Sequence, residues 1–305
     1  RQWLQGQLAP DPPHVLHAHF GPTGCHYLPL AQRLNRPLVV TFYGFDYTKL
    51  PRQRPIFWEK YRHLFRRAAR VVSASEEGCD LLQRMGCPAE KLVLLRPSPR
   101  MEHFPWVARH KPAGRLRLLQ VASFTPKKGH LTTLEAFRLA LPHCPGLHLT
   151  LAGERLHADT FRQVQQFRQQ HGLEQQVSVL DFVDHRRMAE LMAGFDAFIH
   201  PSCQAPDGDH EANPVVLLEA QATGMPVLAT CHFDLPREVL HEHTGLLADE
   251  RDAPTLAAYI CRMYAMESAE YERFSRQARQ HVERHFDVDM TAQTLAKVYR
   301  ELGNC

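Results

Sequence analysis

The chain has 305 residues, 44% of them hydrophobic and 23% charged, and its formal net charge at pH 7 is +3. This length allows two domains with full hydrophobic cores, and the composition is that of a globular protein rather than a disordered chain. No apolar run of the sequence approaches the ~20 residues that a membrane-spanning helix requires.

The eight cysteines are scattered along the sequence without a C-x-x-C pair. This pattern predicts reduced thiols in a cytoplasmic protein, and it argues against a disulfide framework or a zinc site. Because the sequence begins with Arg1 instead of Met, we expect a fragment or a processed chain.

The charge is unevenly distributed. Residues 1–113 contain 17 Lys and Arg against 8 Asp and Glu, whereas the remaining residues contain 19 against 25. The basic first part predicts an anionic partner, either a phospholipid surface at the inner face of the membrane or a diphosphate-linked acceptor. Nucleic acid is the alternative partner, but no recognised nucleic-acid module supports it, and we expect none.

The first part of the chain alternates strands, loops and helices. HVLHAHF (residues 14–20) predicts a short strand, GPTG a loop, residues 28–34 a helix, and PLVVTFYGFD a buried strand that runs into a loop. This order is typical of a parallel α/β sheet, whose ligands bind at the carboxyl ends of the strands, here HFGPTG and YGFD. His17 and His19 alternate along the first strand; without a third ligand at suitable spacing, a structural role is favoured over a metal pair.

The next segment predicts a helix with an apolar and a basic face. Its apolar stripe is formed by Phe57, Tyr61, Leu64, Phe65 and Ala68. Its charge comes largely from Lys60, Arg66, Arg67 and Arg70. A core-packed helix with a solvated basic face is the favoured interpretation, and a patch for a membrane surface or an anionic acceptor is the alternative.

Ser75 is predicted to cap the following helix, and KLVLLRP to form the last strand of this half. A proline-rich connection then leads to a domain boundary near residues 111–115. Beyond it, RLLQVASF predicts a strand, and TPKKGHLTTLEAFRLAL a loop and a helix. Lys127 and Lys128, beside Gly129 at this strand-to-helix junction, could hold a diphosphate by their charge and by the free N–H groups of the helix.

The stretch from His200 to Asp249 is the most informative part of the sequence. A buried strand ends at His200, a polar loop follows, and a helix is predicted to begin with Pro214 as its first residue and to close at Gly224. Glu211 then lies just before the helix and Glu219 inside it, so that two carboxylates could bind different parts of one extended ligand. In the alternative interpretation, Glu211 merely favours the helix dipole and Glu219 is a solvated surface charge.

The motifs EANPVVLLEA, GMPVLAT and TGLL resemble the donor-sugar motifs of glycosyltransferase family 4, in the branch that builds exopolysaccharides such as colanic acid. The resemblance implies an α/β protein of the GT-B fold, with two Rossmann-like domains facing across a cleft. We expect an acceptor-side domain at residues 1–112, a nucleotide-sugar domain at 113–285, and a last helix at 286–305 that packs back on the first domain. The resemblance also implies that the first domain lacks its amino-terminal strand and glycine-rich loop.

The resemblance assigns catalytic roles to Glu211 and Lys128 and donor-binding roles to several other residues. Glu211 would contact the hydroxyls of the donor sugar and Glu219 the ribose diol, while Lys128 would neutralise the diphosphate. Ser123 stands where the family has Arg, so diphosphate binding is expected to rest more heavily on Lys128. Ala212 stands where the family has Gly, and its methyl group implies a narrower choice of sugar. The remaining donor-binding candidates are Lys127, Phe182 and Val183 (the last two facing the nucleobase), Asn213 and Pro214.

Three residues of the first half are candidates for the acceptor side or the phosphate side, namely Gly21, Tyr43 and Asp46. Tyr43 stands where the family usually has a histidine, and tyrosine cannot carry that positive charge. Asp207-Gly208-Asp209 is similar to the metal-binding D-x-D of another glycosyltransferase fold. Since the resemblance is to a family of metal-independent enzymes, we expect neither a metal nor another cofactor.

The predicted function is that of a retaining glycosyltransferase. It would move a sugar from a UDP- or GDP-linked donor to a glycan or lipid-linked glycan in polysaccharide biosynthesis. Two alternatives remain open, because a fold does not determine a reaction. One is a nucleotide-sugar-binding relative with weak or no catalysis, and the other is a sugar-nucleotide epimerase or phosphorylase of the same fold.

Overall fold

A computed structural model describes residues 6–8 and 10–303 of the chain. By their internal contacts these residues divide into two compact units. Unit 1 comprises the described residues within Arg1–Pro97, Asp207–Asn213 and Asp289–Cys305, and unit 2 comprises Ser98–Pro206 and Pro214–Val288. The domain limits predicted from the sequence stay a prediction, since a division by contacts is not a test of independent folding.

The described residues form ten strands and thirteen α-helices. In chain order the strands are β1 (Leu16–His19), β2 (Leu38–Phe42), β3 (Arg70–Ser73), β4 (Leu92–Leu94), β5 (Leu116–Val121), β6 (Leu147–Ala152), β7 (Val177–Leu180), β8 (Ala197–His200), β9 (Val227–Thr230) and β10 (Gly245–Ala248). The helices are α1 (Gly21–Arg33), α2 (Gly44–Tyr47), α3 (Lys49–Gln53), α4 (Ile56–Arg67), α5 (Glu76–Arg84), α6 (His130–Ala140), α7 (Ala158–Gln170), α8 (Met188–Ala193), α9 (Val215–Ala222), α10 (Leu235–Glu238), α11 (Ala253–Ala265), α12 (Ser268–His285) and α13 (Val288–Gly303).

Unit 1 contains a four-stranded parallel sheet in the order β1-β2-β3-β4. Every residue of β2 is buried, as expected for a strand covered on both faces. The apolar side chains of Val39 and Val72 form a cluster with Val298 of α13. Because all four strands are parallel, the loops after β1 and β2 lie at the same edge of this sheet.

Two local predictions for unit 1 were wrong. The GPTG segment is not a loop: α1 begins at Gly21, with Pro22 in its first turn, where a proline is tolerated. The segment after β2 is not a simple loop either, since it forms the short helices α2 and α3. The predicted cap was confirmed, because the Ser75 hydroxyl accepts a hydrogen bond from the N–H of Gly78.

The last helix, α13, makes its side-chain contacts inside unit 1. The Tyr299 hydroxyl lies 2.5 Å from Nδ1 of His17 on β1. The Thr291 hydroxyl donates to the carbonyl of Arg96 over 3.0 Å. The helix break predicted near residues 285–289 is confirmed, since α12 ends at His285 and α13 begins at Val288.

Unit 2 contains a six-stranded parallel sheet in the order β10-β9-β8-β5-β6-β7. The chain adds strands outward from β5 through β6 to β7, and then returns to the other side of β5 with β8. The direction of winding therefore reverses between β5 and β8. In sheets of this kind, ligands bind outside the carboxyl ends of the strands at this reversal.

The core of unit 2 lies on both faces of its sheet. Neighbouring residues of a strand point to opposite faces, so that Leu118 joins one apolar cluster and Leu119 the other. The first cluster includes side chains of α6 and α11, and the second those of α9 and α12. Such two-sided burial explains why the strands of this half are rich in apolar residues.

The segment before β5 is bound into unit 2 by two basic side chains. The buried guanidinium of Arg109 donates to the carbonyl of Met192 over 3.1 Å and to the Thr223 hydroxyl over 2.7 Å. The ammonium of Lys111 donates to the carbonyl of Tyr264 over 2.8 Å. Residues 98–112 therefore contact unit 2, although the sequence grouped them with the first half.

The cysteines of the described residues form no disulfide, although the sulfur atoms of Cys144 and Cys261 lie 3.5 Å apart. Among the helices that the structure describes, none combines the length and the apolar character needed to cross a membrane.

Candidate functional site

The loop between β5 and α6 carries the two lysines of the predicted phosphate site. Pro126–Lys128 forms a short 3₁₀ turn, and Gly129 follows with a left-handed backbone (φ 68°). A Cβ atom on Gly129 would lie 1.9 Å from the carbonyl oxygen of Pro201, so this position requires glycine. The N–H of Cys203 donates to the carbonyl of Lys127 over 2.9 Å. The loops that follow β5 and β8 are thus joined where the winding of the sheet reverses.

Both lysines are half-buried at the end of this loop, and so is Ser123 at its start. The backbone carbonyl of Lys128 accepts a hydrogen bond from the Gln120 side chain over 2.8 Å. The buried ring of His130 stacks on Phe124, with 4.5 Å between ring centroids. Burial, and then the charge of Lys128, lower the pKa of His130 to about 3. The imidazole is therefore neutral at pH 7, and lysine supplies the positive charge of this loop.

Helix α9 contains the second of the two predicted carboxylates. It begins at Val215, with Pro214 as its N-cap, so the prediction of Pro214 as the first helical residue was wrong by one position. Gly224 has a left-handed backbone (φ 80°) just after the helix, where its end was predicted. Glu219 is buried among apolar residues of α9. Its interpretation as a solvated surface charge was wrong.

The carboxylate of Glu219 is hydrogen-bonded to His185, with Oε1 2.7 Å from Nε2 of the ring. Burial raises the pKa of Glu219, and the hydrogen bond with His185 opposes part of that rise. His185 belongs to the 3₁₀ turn His185–Arg187 that follows β7. Its ring also packs edge-to-face on Phe104, with 5.7 Å between centroids.

The two candidates for nucleobase contact, Phe182 and Val183, directly follow β7. The Phe182 side chain is 65% exposed, which is unusual for a large aromatic ring, whereas Val183 packs partly on the core of unit 2. Asp181, where the family has glycine, forms an ion pair with Arg155 over 2.5 Å. The same short segment thus carries an exposed aromatic ring and, three residues later, the partner of Glu219.

The loop segment Asp207–Asn213 makes its contacts with unit 1, unlike the strand and helix that flank it in sequence. Glu211 and Ala212 are both buried. A Cβ atom on Gly44 would lie 3.2 Å from the methyl group of Ala212, so the absence of a side chain at Gly44 leaves room for that methyl group. Both polar side-chain atoms of Asn213 are shielded from solvent and have no hydrogen-bond partner among the described residues.

The D-x-D segment of this loop pairs with a lysine. The carboxylate of Asp207 lies 2.6 Å from the ammonium of Lys49 on α3, and it accepts the N–H of Asp209 over 3.1 Å. Both partners belong to unit 1. Within residues 6–8 and 10–303, no cluster of three or more His, Cys, Asp or Glu side chains has the arrangement of a metal site.

The structure brings together the three candidates of the first half. The buried carboxylate of Asp46 accepts the N–H of Tyr43 over 2.8 Å and the N–H of Gly21 over 3.2 Å. Burial raises the pKa of Asp46 to about 7, although both hydrogen bonds favour the charged form. Asp46 therefore fastens the loop after β2 to the start of α1.

The predicted structural role of His17 agrees with its hydrogen bonds. Its Nε2 lies 2.7 Å from the Thr41 hydroxyl, and its Nδ1 is bonded to Tyr299. The ring of His17 stacks on that of His19, whose Nδ1 lies 2.8 Å from the Tyr43 hydroxyl. The tyrosine that replaces the family's histidine is thus itself bonded to a histidine.

Sequence reasoning missed His185 and Lys49 as partners of the candidate residues. His185 precedes Glu219 by 34 positions, and Lys49 precedes Asp207 by 158, so no local pattern links them. Glu211 and Glu219, which the sequence placed in one site, are assigned to different units by their contacts. The functional role of each predicted site residue stays a prediction.

Solved structures with the same fold are glycosyltransferases of the GT-B type. A sucrose-phosphate synthase from Thermosynechococcus elongatus matches with a TM-score of 0.83 at 23% identity, covering 99% of this chain and 76% of that one. Anabaena HepE, solved in complex with UDP, matches with a TM-score of 0.84 at 19% identity, covering 98% and 81%. The predicted α/β class and GT-B fold are confirmed.

Relatives with closer sequences point to one family. The putative colanic acid biosynthesis glycosyltransferase WcaL of Escherichia coli is 30% identical over 303 residues, which cover 97% of this chain and 73% of WcaL. The amylovoran biosynthesis glycosyltransferase AmsK of Erwinia amylovora is 31% identical over 294 residues, which cover 95% and 70%.

The sequence model of the family "Glycosyl transferases group 1" matches residues 106–281, and that of the "Glycosyl transferase 4-like domain" matches residues 1–98. The chain belongs to the group 1 glycosyl transferases and is a glycosyltransferase. The resemblance to family 4, and to its exopolysaccharide branch, is confirmed.

Proposed function

We propose that this glycosyltransferase moves a sugar from a UDP- or GDP-linked donor to a glycan or lipid-linked glycan during polysaccharide assembly. The similarity to WcaL and AmsK, named for colanic acid and amylovoran biosynthesis, supports the class of product. Complexes of HepE with UDP and with UDP-glucose, which share the fold, support the class of donor. We further propose that the reaction retains the anomeric configuration and needs no metal or other cofactor.

The observation that carries this proposal is the buried carboxylate of Glu219. A carboxylate is costly to bury in an apolar helix unless hydrogen-bond donors compensate for the lost water. The structure provides His185 as one donor. A ribose diol would supply two more, and charge-assisted hydrogen bonds of this kind are roughly twice as strong as neutral ones. Phe182, exposed on the segment that carries His185, would then contact the nucleobase together with Val183.

The diphosphate of the donor would bind at the loop before α6. Lys128 would neutralise the charge that develops on the leaving group, with Lys127 and the hydroxyl of Ser123 assisting. The free N–H groups at the start of α6 favour the same anion. Electrostatic stabilisation of this type is often the largest single contribution to catalysis.

The donor sugar would be held by the segment around Glu211. Its carboxylate would accept hydrogen bonds from sugar hydroxyls, and the shielded amide of Asn213 would find there the partner that no described residue supplies. Ala212 and Pro214 would line the same subsite. The departing phosphate would accept the proton of the attacking acceptor hydroxyl, so that no separate general base is required.

Gly21, Tyr43 and Asp46 would contribute the acceptor side or the phosphate side of the site. Asp46 holds the backbone N–H groups of the other two residues and thereby fixes the position of Tyr43. The Tyr43 hydroxyl, hydrogen-bonded to His19, could donate to an oxygen of either substrate.

The first experiment is a calorimetric screen of UDP- and GDP-sugars with the wild type and with Glu219→Ala. We expect one nucleotide class to bind the wild type and to bind the variant at least 10-fold more weakly. NMR of the product formed with an acceptor glycan would then test retention, and chelator-treated protein would test metal independence. A wild type that is folded by thermal melt but binds no nucleotide would contradict the proposed donor.

Turnover assays on the same protein, with and without an acceptor, distinguish the two alternative functions. An epimerase would convert the nucleotide sugar without any acceptor, whereas a transferase would leave the sugar identity unchanged. A binding protein without catalysis would bind the donor and turn over neither donor nor acceptor.

We also propose a peripheral contact between helix α4 and an anionic membrane, at its cytoplasmic face. The predicted apolar stripe is largely buried, with Tyr61, Leu64 and Phe65 inaccessible to solvent. At the start of the helix, however, Ile56 and Trp58 are 58% and 40% exposed. The exposed basic residues of the same helix are Lys60, Arg62, Arg66 and Arg67. Exposed apolar side chains beside basic ones are typical of a helix that lies on a lipid surface.

Vesicle sedimentation would test this contact. We expect binding to vesicles of phosphatidylglycerol and phosphatidylcholine, loss of binding with phosphatidylcholine alone, and weakening at 0.5 M salt. Ile56→Ser with Trp58→Ser should reduce binding, whereas the matched change of an exposed apolar residue in unit 2, Leu156→Ser, should not. Equal sedimentation of both variants would contradict the role of α4.

A further inference from the structure

His185 and Glu219 form a hydrogen-bonded pair, and the proposed function gives His185 no part in selecting the nucleotide. The distance from Nε2 to Oε1 is 2.7 Å. The pair joins two elements that are 34 residues apart in sequence, the turn after β7 and helix α9. Among the described residues, His185 is the hydrogen-bond partner that the Glu219 side chain has.

The two side chains differ in their exposure to solvent. Glu219 is buried in an apolar helix, whereas the His185 side chain is 64% exposed. The exposed ring rests on the buried Phe104 in an edge-to-face contact. The imidazole thus contacts Phe104 while its Nε2 lies 2.7 Å from the carboxylate of Glu219.

Asp184, the acidic neighbour of His185 in sequence, forms its hydrogen bonds with Arg186. The carboxylate of Asp184 accepts the backbone N–H of Arg186 over 2.9 Å and a guanidinium N–H of the same residue over 2.6 Å. Asp184 therefore does not compete for the imidazole. To donate to the carboxylate of Glu219, the imidazole must carry a hydrogen on Nε2.

We propose that His185 is a positioning residue that makes the site selective for ribonucleotides. This inference rests on the proposed role of Glu219 as the residue that binds ribose. A carboxylate has roughly four acceptor positions on its two oxygens. By donating to Oε1, His185 uses one of them and orients the carboxylate so that Oε2 accepts from the ribose hydroxyls. Because His185 lies three residues after Phe182, the same bond also joins the proposed nucleobase contact to the ribose contact.

The test compares UDP with 2′-deoxy-UDP, using the GDP pair if the donor screen selects guanine. Calorimetry on the full chain gives the ratio of the two affinities for the wild type, His185→Phe and His185→Gln. Phenylalanine keeps the contact with Phe104 but cannot donate, whereas the glutamine amide can. Arg187→Gln, an exposed position on the same turn, is the matched control.

We expect His185→Phe to weaken UDP binding about 10-fold, because a lost hydrogen bond to a charged group has an effect of this size. Binding of 2′-deoxy-UDP should change little, so the preference for the ribonucleotide should fall by a similar factor. His185→Gln should restore most of that preference, and Arg187→Gln should leave it unchanged. A structural role alone would weaken both ligands equally and would not be rescued by glutamine.

Other outcomes separate this inference from the proposed function. If Glu219→Ala loses the preference for UDP but His185→Phe keeps it, Glu219 binds ribose without help from His185 and the inference is wrong. If Glu219→Ala also keeps the preference, the ribose role of Glu219 is wrong, and the inference fails with it. A wild type that binds no nucleotide overturns both.

Discussion

Asp46 in unit 1 and Glu219 in unit 2 are both buried carboxylates in a helix that follows a parallel strand. In both residues, burial is the largest cause of a raised pKa. Their partners differ. Asp46 accepts two backbone N–H groups, from Gly21 and Tyr43, whereas Glu219 is bonded to the exposed side chain of His185.

This difference separates a structural carboxylate from one that is suited to a ligand. Backbone donors cannot leave Asp46 unless two elements of unit 1 move. The His185 ring, in contrast, occupies one side of a carboxylate that retains further acceptor positions. We therefore expect substitutions at Asp46 to affect stability first, and substitutions at Glu219 to affect donor binding first.

The largest expected effect is the loss of stability in Asp46→Ala. The substitution leaves the N–H groups of Gly21 and Tyr43 buried without an acceptor, and each such group costs about 1–3 kcal/mol. We predict a decrease of about 2–5 kcal/mol in the free energy of unfolding, measured by urea denaturation. Val93→Ala, a half-buried position on the edge strand of the same sheet, serves as a control for ordinary truncation. Unchanged stability with impaired catalysis would show that Asp46 acts on substrate instead.

Glu219→Ala should show the opposite pattern. We predict donor affinity about 100-fold lower, because the variant loses charge-assisted hydrogen bonds that are worth roughly 1.5–3 kcal/mol each. The melting temperature should change by only a few degrees, since removal of a costly buried carboxylate offsets part of the lost packing. Calorimetric titration and a thermal melt of the same sample would check both statements. An unstable variant with normal affinity would reverse the comparison.

The sequence predicted much of the fold but little of the difference between the hydrogen-bond partners of Asp46 and Glu219. Runs such as LVVTF and LHLTLA are rich in apolar and β-branched residues, which predicts strands without knowledge of their neighbours. The start of α1 was missed because a Gly-Pro pair has the same local preferences in a loop and in a first helical turn.

The candidate site shows the same limit. Family motifs placed Glu219 and Lys128 correctly in helix and loop, but the burial of Glu219 depends on tertiary packing that no motif specifies. Gly21, one of the two partners of Asp46, and His185, the partner of Glu219, come from segments 25 and 34 residues away. Hydrogen bonds of this kind leave no periodic pattern in a sequence, so only the tertiary structure shows which carboxylate is occupied by its own backbone.

The pH dependence of stability gives a further test of Asp46. Its folded-state pKa of about 7 lies above the ordinary value of 3.8, so the folded chain binds the proton more strongly. Its contribution to stability is therefore fully present below about pH 4 and is lost as the pH rises through 7. His17, whose pKa burial lowers to about 4, has the opposite sign, so the wild-type curve alone is not diagnostic.

The difference between the wild type and Asp46→Asn isolates the carboxylate. Asparagine does not titrate, and the contribution of His17 cancels between the two proteins. We predict that the free energy of unfolding of the wild type falls relative to that of the variant by about 1 kcal/mol per pH unit between pH 5 and 7. Urea denaturation at four pH values would measure it. Parallel curves would mean that the pKa of Asp46 is not raised.

A smaller effect is expected at Gly44, which lies against the segment Asp207–Asn213 that carries Glu211. Gly44→Ala places a methyl group 3.2 Å from that of Ala212, closer than most such contacts, so the segment must shift by a few tenths of an ångström. We predict an increase of about 5-fold in KM for the donor, since overpacking costs about 1 kcal/mol at its lower end. Ala212→Gly removes one of the two close contacts, the other being the carbonyl oxygen of His210 at 3.2 Å, so the double variant should recover part of the wild-type KM. Failure of this rescue would place the effect of Gly44 elsewhere.

The smallest effect should come from the ion pair between Lys49 and Asp207, which lies in the same part of unit 1. Exposed pairs contribute about 0.2–1 kcal/mol, so neither Lys49→Met nor Asp207→Asn should change the melting temperature by more than a few degrees. If the pair positions Glu211, four residues further on, both variants should instead raise KM for the donor about 2- to 3-fold at low salt. The wild type should approach this KM at 0.5 M salt, where the pair is screened. The exchanged pair, Lys49→Asp with Asp207→Lys, should recover the low-salt KM of the wild type, because it restores the attraction with the charges reversed.

A metal-binding role for Asp207 predicts the contrary result: loss of activity in every Asp207 variant, no rescue by the exchange, and sensitivity of the wild type to chelators. The kinetics of these variants therefore distinguish a carboxylate that orients its own loop from one that binds a cation.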